Sequence, residues 1–191
     1  MQTLQVFVYF LLALISNKSF SMLAVKASIR QEMKSRLLNV VKESVTSQSE
    51  RVLGQLLSLP SVVESRTVCI YLSMQGEIDT YPIISKCLEL GKVVYIPKVV
   101  GKQAEDMRMF HLQTFDQIGT FPKNKWGIPE PSISVINLEE ETYLESIDVV
   151  FVPGVVFDSR CGRVGHGKGY YGRFLKLNFE FPLIWYFKIA F

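Results

Sequence analysis

Apolar positions along the chain follow two periods, and the places where one gives way to the other mark the elements. Between Val25 and Leu59, Ile29, Met33, Leu37, Val40 and Val41 recur at helical spacing, and Val52, Leu53, Leu56 and Leu57 do so again. Two helices joined near Ser47 and ending before Pro60 are the prediction. Thr67–Leu72 (TVCIYL) reads as a buried strand, Thr80–Leu90 as a helix capped by Thr80 and stopped by Gly91, and Lys92–Ile96 as a second strand, which together make a β-α-β unit. Met107–Leu112 reads as a further short strand, Phe121–Pro131 as a Pro- and Gly-rich loop, and Glu139–Glu145 as an acidic stretch ending a helix or loop. Asp148–Val152 (DVVFV) is the clearest strand. Strands that are continuous apolar runs alternating with helices predict an α/β fold with a mainly parallel sheet covered on both faces. Such sheets bind ligands beyond the carboxyl ends of their strands, which directs attention to the loops after Leu72, Ile96 and Val152.

The first residues stand apart. Leu4–Ile15 carries no charge but has only 12 residues, against the roughly 20 that cross a bilayer. No Lys or Arg precedes it, unlike a secretory signal, and it lacks the Arg-rich amphipathic pattern of a mitochondrial presequence. The reading adopted is that residues 1–21 are an optional leader or a mispredicted extension, that Met22 opens a cytoplasmic protein, and that residues 22–191 form one domain. A mitochondrial or secretory leader stands as the alternative.

Composition excludes several classes. A chain of 191 residues that is 48% hydrophobic and 20% charged suits one domain with a substantial core. The net charge of +3 is too mild to mark a nucleic-acid partner, and no membrane partner is expected. Cys69, Cys87 and Cys161 are far apart, without C-x-x-C spacing, so neither a disulfide framework nor a zinc ribbon is supported. With only His111 and His166, a His-rich metal centre is set aside, and Cys161 with His166 lacks a second half for zinc.

Candidate chemistry concentrates after Val152. PGVVFDSRCGRVGHGKGYYGRFLK holds Gly162, Gly165, Gly167, Gly169 and Gly172 among Arg160, Arg163, Lys168, Arg173 and Lys176, with no acid between Ser159 and Lys176. Glycines let backbone N–H groups approach an oxyanion, basic side chains neutralise it, and a helix starting near Gly169 adds its dipole. Two short patterns fail here. Gly162–Lys168 fits G-x-x-x-x-G-K, but Gly169 follows where a P-loop needs Ser or Thr. Gly167, Gly169 and Gly172 fit G-x-G-x-x-G, but the 19 residues beyond Gly172 are too few for the rest of a dinucleotide unit. A phosphate-binding loop of another kind is left.

VFVPGVVFDSRCGRVGHGKGYYGRFL closely resembles the signature of the 5-formyltetrahydrofolate cyclo-ligase (5,10-methenyltetrahydrofolate synthetase) family, and KASIR, YLSMQGEIDT and KWGIPEP agree with it in order and spacing. The resemblance runs from about Lys26 to Leu175. It implies a single α/β domain of the NagB/RpiA/CoA-transferase type. It also implies the ATP-dependent conversion of 5-formyltetrahydrofolate to 5,10-methenyltetrahydrofolate, with Mg2+ accompanying ATP and the protein acting as a monomer. Carried over by position, Lys26, Ala27, Ser28, Ile29 and Arg30 match an ATP-contacting segment, its two basic residues on one helical face. Arg163, Val164, Gly165, His166, Gly167, Lys168, Gly169, Tyr170 and Tyr171 match the nucleotide loop. Leu72, Glu77 and Trp126 match folate contacts, shared with the loop residues His166 to Tyr170. Lys168, Arg163 and Tyr170 are the expected catalytic residues, with Lys168 on the γ-phosphate.

Three departures accompany the match. Gly172 stands where the family loop closes with Asp, so no metal ligand is assigned. His166 stands where Arg is common. After Leu175 the chain reads KLNFEFPLIWYFKIAF, where family members continue with a strand, a helix and an acid-bearing tail. The resemblance therefore implies a C-terminal truncation that leaves the β-prone FPLIWYF run uncovered, and a nucleotide- or folate-binding relative with impaired turnover is the alternative function.

Overall fold

The computed structural model describes residues 22–37, 42–101, 103, 106–132, 147–158, 162–178 and 184–185. The leader, the acidic stretch Glu139–Glu145 and most of the final run lie outside the described residues. Thirteen elements follow in order. They are α1 (Met22–Leu37), α2 (Lys42–Leu56), α3 (Pro60–Glu64), β1 (Thr67–Cys69), α4 (Tyr81–Glu89), β2 (Val93–Val99), β3 (Met107–Leu112), α5 (Gln117–Thr120), β4 (Val149–Phe151), β5 (Val156–Phe157), β6 (Arg163–Val164), α6 (Tyr170–Asn178) and β7 (Ile184–Trp185). Five strands form one sheet in the order β3-β2-β1-β4-β7, and β5 with β6 makes a separate two-stranded hairpin. β1 runs parallel to β2 and β4, β4 runs parallel to β7, and β3 joins β2 antiparallel. The mainly parallel α/β sheet is thereby borne out, with one antiparallel edge.

Strand residues alternate between two cores because successive side chains leave a strand on opposite faces. Val68, Ile70, Val94, Ile96, Val149 and Phe151 pack on one face with Val52 and Leu56 of α2, Val62 of α3 and Ile83, Ile84 and Cys87 of α4. Cys69, Tyr95, Val150 and Val152 pack on the other, where Tyr171 and Leu175 of α6 lie against them. Helices therefore cover both faces. Helix α1 buries no residue, and Met22 and Leu23 at its start are exposed.

Four sequence expectations are corrected. Helix α2 runs straight through Ser47, where a joint was expected. Gln48 and Ser49, polar residues that look like a loop, are buried, and Ser49 Oγ donates to Val45 O at 2.7 Å while accepting from Asp79 N at 2.9 Å. Thr80 begins α4 without capping it through its side chain. Its hydroxyl donates to Tyr71 O (2.7 Å) and accepts from Ser73 N (3.0 Å), and Asp79 Oδ1 takes Tyr81 N instead (3.0 Å). The strand expected over Thr67–Leu72 pairs as a strand only to Cys69, although Ile70 N still donates to Tyr95 O. Finally, Ile184 and Trp185 of the FPLIWYF run are paired with Val150 and Phe151 at the edge beside β4, not left unpaired.

Asp148 fixes how β4 enters the sheet. Its Oδ2 accepts Arg66 N (2.7 Å) and Thr67 N (2.9 Å), and its own N–H donates to Thr67 O (3.0 Å). Asp148→Ala leaves those two N–H groups without their charged acceptor, at a cost of about 1.5–3 kcal/mol, which thermal unfolding should register as a fall of several degrees. An unchanged melting temperature would show that water replaces the carboxylate without loss.

Candidate active site

At the carboxyl end of β1 the chain makes a tight turn from Met74 to Glu77, closed by Glu77 N donating to Met74 O (3.1 Å). Gly76 takes φ +87° in the third place, the conformation that a type II turn reserves for glycine. The turn folds the Glu77 carboxylate back so that Oε2 accepts Met74 N (3.0 Å). Burial raises the Glu77 carboxyl from its ordinary 4.5 to about 7, against a smaller lowering by Met74 N–H. Tyr71 and Tyr171 stand close enough for the Glu77 charge to reinforce the rise that burial imposes on their phenols. Beneath them Cys69 is fully buried and its thiol is pushed up to about 12, so it is packing and not a nucleophile.

On the adjoining loop, β5 and β6 form a hairpin that sequence reading missed: Val156 pairs with Val164 and Phe157 with Arg163. Two-residue strands carry too few positions for a period to show. Asp158 closes the turn by accepting Gly162 N at 2.7 Å. From β6 the chain passes through Gly165–Gly169 into α6, whose first turn is marked by Arg173 N donating to Gly169 O (3.0 Å). The helix starts where the sequence placed it.

The glycines do something the sequence did not reveal. A Cβ on Gly165 would stand 2.9 Å from Arg163 Nη2, one on Gly167 3.5 Å from the Arg30 guanidinium carbon, and one on Gly169 2.5 Å from Arg173 Nη1. Each alternate residue of the loop thus lies against a guanidinium, while His166 and Lys168 between them are exposed. All three arginines donate to backbone carbonyls: Arg30 Nε to Gly165 O (2.7 Å), Arg163 Nε to Pro153 O (2.7 Å) and Arg173 Nη1 to Lys168 O (3.0 Å). A carbonyl orients a guanidinium without cancelling its charge. With the N–H groups that open α6, this is a built setting for a polyanion.

The structure brings together Arg30, Arg163, Val164 and the loop residues to Tyr171, despite 135 positions of separation between Arg30 and Gly165. Lys26 and Ile29 are half-buried on α1, whereas Ala27 and Ser28 face solvent. Tyr171 turns inward to the core, and Tyr170 stays at the surface with its hydroxyl on Gly101 O (3.0 Å) and Arg173 5.2 Å over its ring. Leu72 is part of the hydrophobic core. Trp126 is 60% exposed and carries Lys125 Nζ 4.4 Å over its ring. Its loop is held by Glu130, which pairs with Lys98 of β2 and accepts Asn124 Nδ2 at 2.6 Å. Arg173 and Gly101 were missed as site residues; Arg173 entered only as local charge, and nothing in the sequence pointed to Gly101.

A family model for 5-formyltetrahydrofolate cyclo-ligases matches residues 22–183. A Caenorhabditis elegans protein described as a probable 5-formyltetrahydrofolate cyclo-ligase is 38% identical over 163 residues, covering 83% of this chain and 76% of that one. The mouse 5-formyltetrahydrofolate cyclo-ligase is 33% identical over 151 residues, covering 79% and 73%. The solved 5,10-methenyltetrahydrofolate synthetase of Aquifex aeolicus superposes with a TM-score of 0.66 at 30% identity, covering 85% of this chain and 76% of that one. The chain belongs to the 5-formyltetrahydrofolate cyclo-ligase family.

For this cyclo-ligase family member the metal question turns on its own side chains. Among the described residues no three His, Cys, Asp or Glu side chains gather to hold an ion. Gly172, in the first turn of α6, has no side-chain donor either; magnesium, which one or two carboxylates beside nucleotide phosphates can hold, needs no such cluster of three. Nor, among them, is any helix long and apolar enough to cross a membrane.

Glu77 makes a pH prediction. Because its folded pKa is about 7 against 4.5 ordinarily, the folded protein holds a proton that the unfolded chain releases in that window. Stability therefore falls as pH rises from about 4.5 to about 7. Glu77→Gln keeps an acceptor for Met74 N and removes the titration. It should be more stable than the parent at pH 8 by up to about 3 kcal/mol, with the gap closing near pH 4. Denaturant unfolding at both pH values checks this, and a constant gap would mean that Glu77 titrates alike in the folded and unfolded chains.

Proposed function

We propose that this chain converts 5-formyltetrahydrofolate and ATP to 5,10-methenyltetrahydrofolate, ADP and phosphate, acting as a cytoplasmic monomer. The observation that carries the reading is the Gly165–Gly169 loop against three guanidiniums at the start of α6, whose Tyr171 lies within electrostatic reach of Glu77. Family membership supplies the reaction. Phosphoryl transfer asks a protein for positioning and charge stabilisation, and both are what such a loop offers.

In this reading the triphosphate lies along the loop, with Lys26 and Arg30 reaching it from α1 and Lys168 on the γ-phosphate. The formyl oxygen attacks the γ-phosphorus as the bond to ADP breaks. The neighbouring folate nitrogen then closes on the formyl carbon, its proton is lost, and the carbon–oxygen bond breaks to release phosphate. Lys168 contributes most while charge moves onto the transferred group and the ADP leaving oxygen. Glu77 takes the hydrogen-bonding edge of the pterin, and Trp126 and Tyr170 supply aromatic surface. For Tyr170 only the ring face away from Arg173 is available. Leu72 acts from below by packing. Magnesium enters with the nucleotide.

Lys168→Ala should leave the melting temperature unchanged, since the Lys168 carbonyl that Arg173 uses is kept. It should lower turnover tenfold or more, for a lost charge-assisted contact of about 1.5–3 kcal/mol. Absorbance of the methenyl product is the readout. Full activity in the variant removes Lys168 from the mechanism, and ATP binding without turnover in the parent would leave a binding relative in place of the enzyme.

A Cβ at Gly172 meets nothing within 4 Å. Gly172→Asp thus has room at its Cβ and adds a carboxylate in the first turn of α6. Cyclo-ligase activity at limiting magnesium should rise, with a smaller gain at saturation. No gain at any magnesium concentration would show that the missing carboxylate is not what limits this protein.

A further inference from the structure

His166 is the only group in the Gly165–Gly169 loop that titrates near neutral pH, and cations from two different elements lie against the glycines on either side of it. The Arg30 guanidinium, from α1, bonds the carbonyl of Gly165 and lies against Gly167, the residues on either side of His166. Arg163, from β6, turns its Nη2 toward Gly165. Among the described residues these two guanidiniums are the charges that act on the imidazole. Together with partial desolvation, which is the larger effect, they hold it below its ordinary 6.5. Lys168, two residues on, adds a further exposed cation to the same loop.

We propose that His166 makes polyphosphate binding proton-linked: the imidazole takes up a proton from solvent as a triphosphate settles against Arg30, Arg163 and Lys168. The inference rests on reading this loop as the nucleotide site. Its cause is electrostatic. The Arg163 and Arg30 charges, which add to desolvation in keeping the proton off His166, are neutralised by the incoming anion, which then becomes the acceptor for the imidazolium. A fixed cation at this place would add to the repulsion within the empty loop at every pH, whereas His166 gains charge as the ligand arrives. By linkage, affinity rises as pH falls through the interval between the free and bound pKa values.

The test is calorimetric titration of the full chain at pH 6.5 with metal-free ATP and, separately, with inorganic tripolyphosphate, in two buffers of different ionisation enthalpy. The parent should take up several tenths of a proton more per ligand than His166→Gln, the ligand's own protonation being common to both. Its affinity should fall about three- to tenfold more than the variant's between pH 6 and pH 8. His166→Arg should lose the proton excess and retain tight binding at pH 8. In the parent itself, proton NMR should show one imidazole moving from below its ordinary pKa to above it when tripolyphosphate is added. Equal proton uptake in parent and His166→Gln overturns the proposal, as does an imidazole that titrates alike with and without ligand, or no binding of either ligand. Proton-linked ATP binding without methenyl formation would defeat the cyclo-ligase reading alone; turnover with equal proton uptake would defeat this inference alone.

Discussion

Guanidinium groups hydrogen-bonded to backbone carbonyls set the character of the loop between β6 and α6. Arg30, Arg163 and Arg173 each donate to a carbonyl that fixes the planar group in place. Carbonyl acceptors lie inside the loop or next to it, and a backbone without side chains lets the cations come close. Gly165, Gly167 and Gly169 meet that condition. Positive φ at Gly167 (+103°) and Gly169 (+78°) adds a second reason for glycine at those two positions. Clustered positive charge opposes folding, and the core beneath offsets it.

That core works because the strands are apolar on both faces. Val150 and Val152 meet Tyr171 and Leu175 of α6, which seats the helix and so determines where its first turn opens. On the opposite face α2 and α4 pack against Val68, Ile70 and Val94. The loop that carries Glu77 is held between the two layers, by Thr80 to the end of β1 and by Ser49 to α2. Glu77 is half-desolvated there by packing decided elsewhere in the chain, which is why its proton affinity is raised.

Strong periodic or punctuated segments were legible. Met107–Leu112 was read to both ends, Gly91 stops α4 at φ +72°, and α6 begins at the glycine run as expected. Misreadings share a cause. Ser47–Ser49 looked like a joint because polar residues usually face water, but Gln48 and Ser49 are buried and Ser49 has two hydrogen bonds. Thr80 looked like a helix cap because its type and place suit one, yet the end of β1 offers it a buried carbonyl and an N–H. In both, a partner distant in sequence outbid the local choice.

By itself the sequence determined the α/β class, the order of the principal strands and helices, and the family, since apolar runs, turn residues and collinear motifs are local properties. It also determined that glycine and positive charge meet after β4. Only the tertiary structure decided which charge meets which glycine. Arg30 lies 135 positions from Gly165, and no local rule connects them; their contact depends on α1 reaching the hairpin of β5 and β6. The raised pKa of Glu77 and the lowered pKa of His166 are likewise tertiary, because burial and neighbouring charge exist only once the layers have packed.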